Sequence, residues 1–180
     1  MNYNYLQKYL KNFPITSFII GINGVIFLLN TLGIAPTIIS TPGILSFQTV
    51  LANFFHANLI HFAFNMLIVW QISPLIEVKF RGIYYAGILL SFLSLVSLGV
   101  ARLSHYPTLG FSGIGLGIMV FAGLIYWKNK HISKQLIGWA AANIIFGLMP
   151  GISFIGHAVG AFAGLLVFGI IYMSAPQLVK

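Results

Sequence analysis

The chain is 180 residues long, 59% of them hydrophobic and only 6% charged, with a mean hydropathy of +0.98. That excludes an ordinary water-soluble domain, in which about a quarter of residues carry charge. With 0 cysteines, disulfides and thiolate metal sites are excluded as well.

In chain order, the lead-in 1–13 places Tyr3, Tyr5 and Tyr9 among polar residues, as suits a short interfacial segment. Pro14 then fits a first helical turn. Six apolar runs follow, at about 15–33, 50–72, 83–103, 113–127, 136–149 and 154–173. None shows the alternation of a membrane barrel, and unbroken apolar runs satisfy their backbone amides in lipid as helices. The first run follows Lys8 and Lys11 like a signal sequence, but it is long and no A-x-A-like site follows it, so an uncleaved helix is expected. Between the first two runs, Pro36, Pro42 and Gly43 predict a loop over 34–48 with little regular structure. The later turns are expected at 77–82, 104–109, 129–133 and 150–151.

The net charge of +8 invites a nucleic-acid partner. Topology accounts for it better. With the N-terminus in the cytoplasm, Lys8, Lys11, Lys79, Arg81, Lys128, Lys130, Lys134 and Lys180 all fall on the cytoplasmic side, and only Arg102 lies outside. The expectation is therefore an all-α membrane protein, a six-transmembrane-helix bundle forming one domain over 1–180. Both termini are cytoplasmic, the bilayer is a partner, anionic lipid is favoured on the basic face, and no nucleic acid is bound.

Several polar residues interrupt this pattern. If the second helix starts near residue 50, His61 lies about 16 Å along it and Asn65 about 22 Å. These two are four residues apart and share a face, whereas His56 is turned about 140° from His61. Such groups serve either as polar contacts between helices or as a functional site. Ser112 lies in "GFSG", between Gly110 and Gly113, where the fourth helix begins. A helix start exposes unpaired N–H groups, and glycine permits close backbone approach, so a hydroxyl and an anion-stabilising amide can be presented together. A serine in such a glycine-rich helix can equally be packing.

A serine nucleophile needs a base. His157 is the candidate, with His105 as its rival in a loop. Gly160 and Gly164 follow His157 in "HAVGAFAG", a small-residue face that lets the sixth helix approach a neighbour closely. If that neighbour is the fourth helix, with Gly113 and Gly117, the imidazole comes beside Ser112. The chain has no aspartate and one glutamate, Glu77, on the cytoplasmic side, so a Ser-His-Asp triad is ruled out. There is no H-E-x-x-H zinc motif, and no metal or other cofactor is expected.

"HANLIHFAFNM", then "GFSG", then "GHAVGAFAG", in that order, closely resemble the rhomboid family of intramembrane serine proteases in its six-helix bacterial form. The resemblance runs from about Phe47 to the end of the sixth helix. It implies that Ser112 is the nucleophile and His157 the general base. It also implies an oxyanion hole made by His61, Asn65 and the Ser112 backbone amide. His56 would be a structural histidine of the same motif, Gly110 would line the loop before the serine, and Glu77 matches the family's carboxylate after the second helix. The implied activity is cleavage of other proteins' transmembrane segments near the outer face of the cytoplasmic (inner) membrane.

The chain departs from the family pattern at Phe47, Gln48 and Leu116. Where members often carry Trp-Arg in the first outside loop, this chain has Phe47 and Gln48. Four residues after the serine, where bacterial members often place a tyrosine that stacks on the histidine, it has Leu116. Two other readings are set beside the protease: a rhomboid-like protein that grips client helices without cutting them, and a small-solute transporter.

Overall fold

In a computed structural model, residues 3–179 are described, with side chains from residue 6 onward. The described residues form eight α-helices and a closing 3-10 turn at Pro176–Leu178. The helices are α1 (Tyr3–Asn12), α2 (Pro14–Thr31), α3 (Phe47–Ala52), α4 (Leu59–Lys79), α5 (Ile83–Leu103), α6 (Ser112–Ile125), α7 (Lys130–Phe146) and α8 (Phe154–Ser174). The all-helical class agrees with the sequence, and α2, α4, α5 and α8 are each long and apolar enough to cross a membrane. At 14 and 17 residues, α6 and α7 are shorter.

The largest departure from expectation is the start of the second long helix, at Leu59 and not near residue 50. Residues 50–72 read as one apolar run, yet the helix breaks within them, between Ala52 and Leu59. Ser46 and Thr49 build a capping box that starts the short α3, which ends at Ala52. Asn58 then caps α4 by accepting the His61 N–H at 2.9 Å. His61 is therefore the third residue of its helix, about 3 Å along it and not 16 Å, and Asn65 is about 9 Å along. The loop expected over 34–48 likewise contains a helical start at Phe47. Further differences are small. The lead-in is itself a helix, α1, and α7 begins six residues early, where Asn129 accepts the Ile132 N–H.

At the centre stands α6. Every residue of it from Gly113 to Ile125 except Leu124 is buried, and it packs against α4, α5, α7 and α8. Glycine makes the closest of these contacts possible. A methyl on Gly160 would collide with the Gly113 carbonyl, and one on Gly164 would stand 2.7 Å from the Gly117 oxygen. Backbones meet there with no side chain between them, which small residues alone allow.

At the other end of α4, Glu77 is buried and ties α2 in place. Its carboxylate accepts the Ile15 N–H at 2.8 Å, the Thr16 N–H at 2.9 Å and the Thr16 hydroxyl at 2.6 Å. A helix start carries unpaired donors and partial positive charge, so the lone carboxylate is both satisfied and attracted there. Glu77 thus sits inside α4. The turn expected from 77 begins instead at Phe80, and Gly82 supplies its positive φ of 59°.

Candidate active site

Ser112 is the first residue of α6, and the approach to it is set by Gly110. Gly110 has φ +117°, a region L side chains rarely adopt, and its N–H donates to the Ala52 carbonyl at 3.0 Å. The turn leaves Ser112 half-buried, with its N–H among the first amides of α6, which have no acceptor within the helix.

The His61 ring lies directly on this turn. A Cβ on Gly110 would stand 2.5 Å from His61 Cε1 and 2.7 Å from Nε2, so only glycine leaves room for the imidazole. On the ring's other side, Nδ1 accepts the Ala57 N–H at 3.5 Å. An accepting Nδ1 puts the ring proton on Nε2, the nitrogen that faces Gly110. His61 is thereby a donor toward the turn before Ser112.

One helical turn further along α4, Asn65 is buried, and its Nδ2 amide has no hydrogen-bond partner among the described residues. A buried donor without a partner costs about 1–3 kcal/mol, so an unmet amide of this kind is kept at a cost to stability.

His157 has the opposite proton arrangement. It is the fourth residue of α8, buried, and its Nδ1 lies 2.8 Å from the Asn143 carbonyl oxygen near the end of α7. A carbonyl can only accept, which fixes the proton on Nδ1 and leaves Nε2 as a bare lone pair. Gly147 makes this junction tight, since a Cβ there would be 2.9 Å from Phe154 Cα and 3.4 Å from His157 Nδ1. The contact of α8 with α6 brings His157 toward the serine: a methyl on Gly113 would be 2.9 Å from the Gly156 carbonyl, one residue before His157. No hydrogen bond joins the Ser112 hydroxyl to the His157 ring among the described residues.

His56 is not on α4. It lies in the 53–58 loop, buried, and its ring meets His61 edge-on at 5.2 Å and Phe62 at 5.4 Å. The expected 140° separation assumed a continuous helix and does not apply. His105 is exposed in the loop after α5, and Leu116 is fully buried one turn beyond Ser112. Beside the serine is a cavity of about 20 Å³ with Ser40, Thr49, Thr108 and Ser153 in its walls, room for about one water. No sequence signal pointed to the Asn143 carbonyl, because the contact is made by backbone.

Of the described residues, His61 and Gly110 meet at the turn before Ser112, Asn65 lies one helical turn further along α4, and His157 stands on α8 one residue after the Gly156 carbonyl that faces Gly113. The sequence profile of the Rhomboid domain matches residues 46–174, a span that takes in all of them. This chain belongs to the rhomboid family. It is also 27% identical over 127 residues to a protein of Acanthamoeba polyphaga mimivirus that is named, provisionally, as a rhomboid protein. That match covers 65% of this chain and 70% of the viral one. Membership in the rhomboid family and the four long apolar helices make this a multi-pass membrane protein.

Proposed function

We propose that this rhomboid protein is an intramembrane serine endopeptidase that cleaves transmembrane segments of other proteins. The observation that carries the reading is the different surroundings of two histidines near one serine-bearing turn: His61 Nδ1 faces the Ala57 N–H at 3.5 Å and His157 Nδ1 faces a carbonyl oxygen at 2.8 Å. From these surroundings Nε2–H is assigned to His61 and a bare Nε2 to His157. One is a donor suited to an oxyanion, the other an acceptor suited to a hydroxyl proton.

In this mechanism Ser112 Oγ attacks the scissile carbonyl carbon and gives its proton to His157 Nε2. The carbonyl oxygen takes up the negative charge and is met by His61 Nε2–H, the Asn65 amide and the Ser112 N–H. Collapse of that intermediate breaks the C–N bond, and the imidazolium returns the proton to the leaving amine. Water then hydrolyses the acyl-enzyme with His157 as base, and the small hydroxyl-walled cavity supports such a water next to the serine. The Ser112–His157 bond forms on substrate binding, as catalytic bonds left open in free enzymes often do.

In this reading α2, α4, α5 and α8 and the shorter α6 and α7 all cross the bilayer, with both termini cytoplasmic and the site opening to the outer face. Eight basic residues against one support that orientation. The unengaged serine and Leu116 favour a second reading, a rhomboid protein that binds client helices without cutting them.

The deciding experiment incubates purified protein with a single-pass membrane substrate and, in parallel, with a fluorophosphonate. Cleavage and labelling that vanish in Ser112→Ala, and cleavage that vanishes in His157→Ala, support the protease. Cleavage undiminished in either variant removes the assignment. Client binding without cleavage or labelling supports the second reading. Reporter fusions at the C-terminus, active only in the cytoplasm or only outside it, test the orientation.

A further inference from the structure

The loop between α2 and α3 contains a buried serine, Ser40, which lines the cavity beside Ser112 but takes no part in the proposed proton transfers. Its N–H donates to the Thr108 carbonyl at 2.8 Å. Its Oγ accepts the Thr108 N–H at 2.9 Å and pairs with Thr108 Oγ1 at 2.9 Å. One residue therefore meets every hydrogen-bonding group of Thr108, backbone and side chain. Ser40 is itself steadied by its neighbour: Gln48 Nε2 donates to the Ile39 carbonyl at 3.0 Å.

Thr108 lies two residues before Gly110 and four before Ser112. Between them the backbone has few other restraints, chiefly the Gly110 N–H bond to Ala52. A shift at Thr108 is passed to Gly110, and through it to the spacing between the His61 ring and the Ser112 amide. Ser40, Thr108, Gly110 and Ser112 also share the walls of the same small cavity.

We infer that Ser40 is a positioning residue, whose clasp on Thr108 sets the register of the serine-bearing turn against His61. The catalytic consequence rests on the protease reading; the clasp itself does not. Three variants grade the effect. Ser40→Ala removes two of the three bonds, Thr108→Val removes one, and Thr108→Ser removes none. Because misplaced reacting groups cost rate far more than binding, kcat falls about tenfold in Ser40→Ala, less in Thr108→Val and not in Thr108→Ser, with KM within about twofold throughout. The double variant Ser40→Ala with Thr108→Val is no worse than Ser40→Ala alone, since both remove the same clasp.

The experiment pairs these kinetics, taken well below the unfolding temperature, with amide hydrogen exchange over 107–113. Faster exchange confined to that segment in Ser40→Ala, together with the graded kcat, supports the inference. Wild-type kcat in Ser40→Ala with only a lowered Tm overturns it, leaving the clasp a simple staple. If the wild-type protein cuts nothing, the protease reading fails on its own, and the exchange data still decide: unchanged exchange at 107–113 overturns the clasp as a positioning device.

Discussion

His157 Nδ1 and the carbonyl oxygen of Asn143 stand 2.8 Å apart, where the start of α8 meets the end of α7. The same oxygen accepts the Gly147 N–H at 3.0 Å, so the last turn of α7 is built around the atom that orients the imidazole. A backbone dipole here holds the ring where a serine-protease triad would use a carboxylate. The Gly147 substitution tests this. Its backbone is ordinary right-handed helix, so Gly147→Ala meets no conformational penalty, but its methyl would press on Ile144 O and Phe154 Cα at 2.9 Å. The junction must open, and kcat is expected to fall by about 10²-fold with the helical circular dichroism retained. Gly138→Ala, on the same helix with nothing near it, is the control and keeps full activity.

Asn65 offers a prediction in which stability and activity move in opposite directions. Its Nδ2 amide is buried and unpartnered, and an oxyanion would complete it. Asn65→Leu removes that unmet donor with a side chain of the same branching and heavy-atom count, so the folded protein gains about 1 kcal/mol or loses nothing. On the proposed mechanism the same change removes a transition-state donor, and kcat is expected to fall by about 10²–10³. Thermal unfolding in detergent micelles and single-turnover cleavage measure the two effects on one sample. A variant that loses both stability and activity would show that Asn65 is merely structural.

The glycine contacts of α6 with α8 are legible in the sequence because small residues four apart on an apolar helix mark a face of close approach. The polar residues are legible as candidates by type alone, since a serine among glycines at a helix start serves equally as a packing residue. The beginning of α4 was not legible, because hydropathy measures the surroundings of a segment and not the continuity of its backbone. Residues 53–58, "NFFHAN", are apolar enough to read through, yet two asparagines act there through their side chains: Asn53 donates to Ser97 Oγ at 3.0 Å, and Asn58 caps α4. The error then spread to the placing of His56 and to the depth of His61. The early start of α7 was hidden for the opposite reason, since its first turns are polar although helical.

Helix packing gives the sharpest contrast between neighbouring positions. A methyl at Gly160 lands on the Gly113 carbonyl, backbone against backbone, with no flexible side chain to yield. Gly160→Ala therefore forces α8 away from α6 at an expected cost of about 1–3 kcal/mol, and it separates His157 from Ser112. Gly169→Ala, lower on α8 with open space around it, is expected to change the free energy of unfolding by less than about 0.5 kcal/mol. Equal effects at the two positions would rule out the close contact of α6 with α8.

Acid acts on this fold through a buried histidine. His56 lies in the loop before α4, and both of its ring nitrogens are buried without a hydrogen-bond partner among the described residues. Burial, and after it the neighbouring His61, push its pKa down from 6.5 to about 4, against a smaller opposing effect of the Phe54 backbone. A folded-state pKa below the unfolded one means that the fold favours the neutral ring. Its contribution to stability is thus complete above pH 6.5 and drains away as pH falls from there toward 4. Acid loss through carboxylates is limited, because Glu77 is the chain's single acidic side chain. The unfolding midpoint of the wild-type protein in micelles is expected to drop across that window. His56→Phe keeps an aromatic ring against His61 and Phe62 but cannot take a proton, so its midpoint falls less over the same range. A slope identical to the wild type's would mean that protonation of His56 does not limit acid stability.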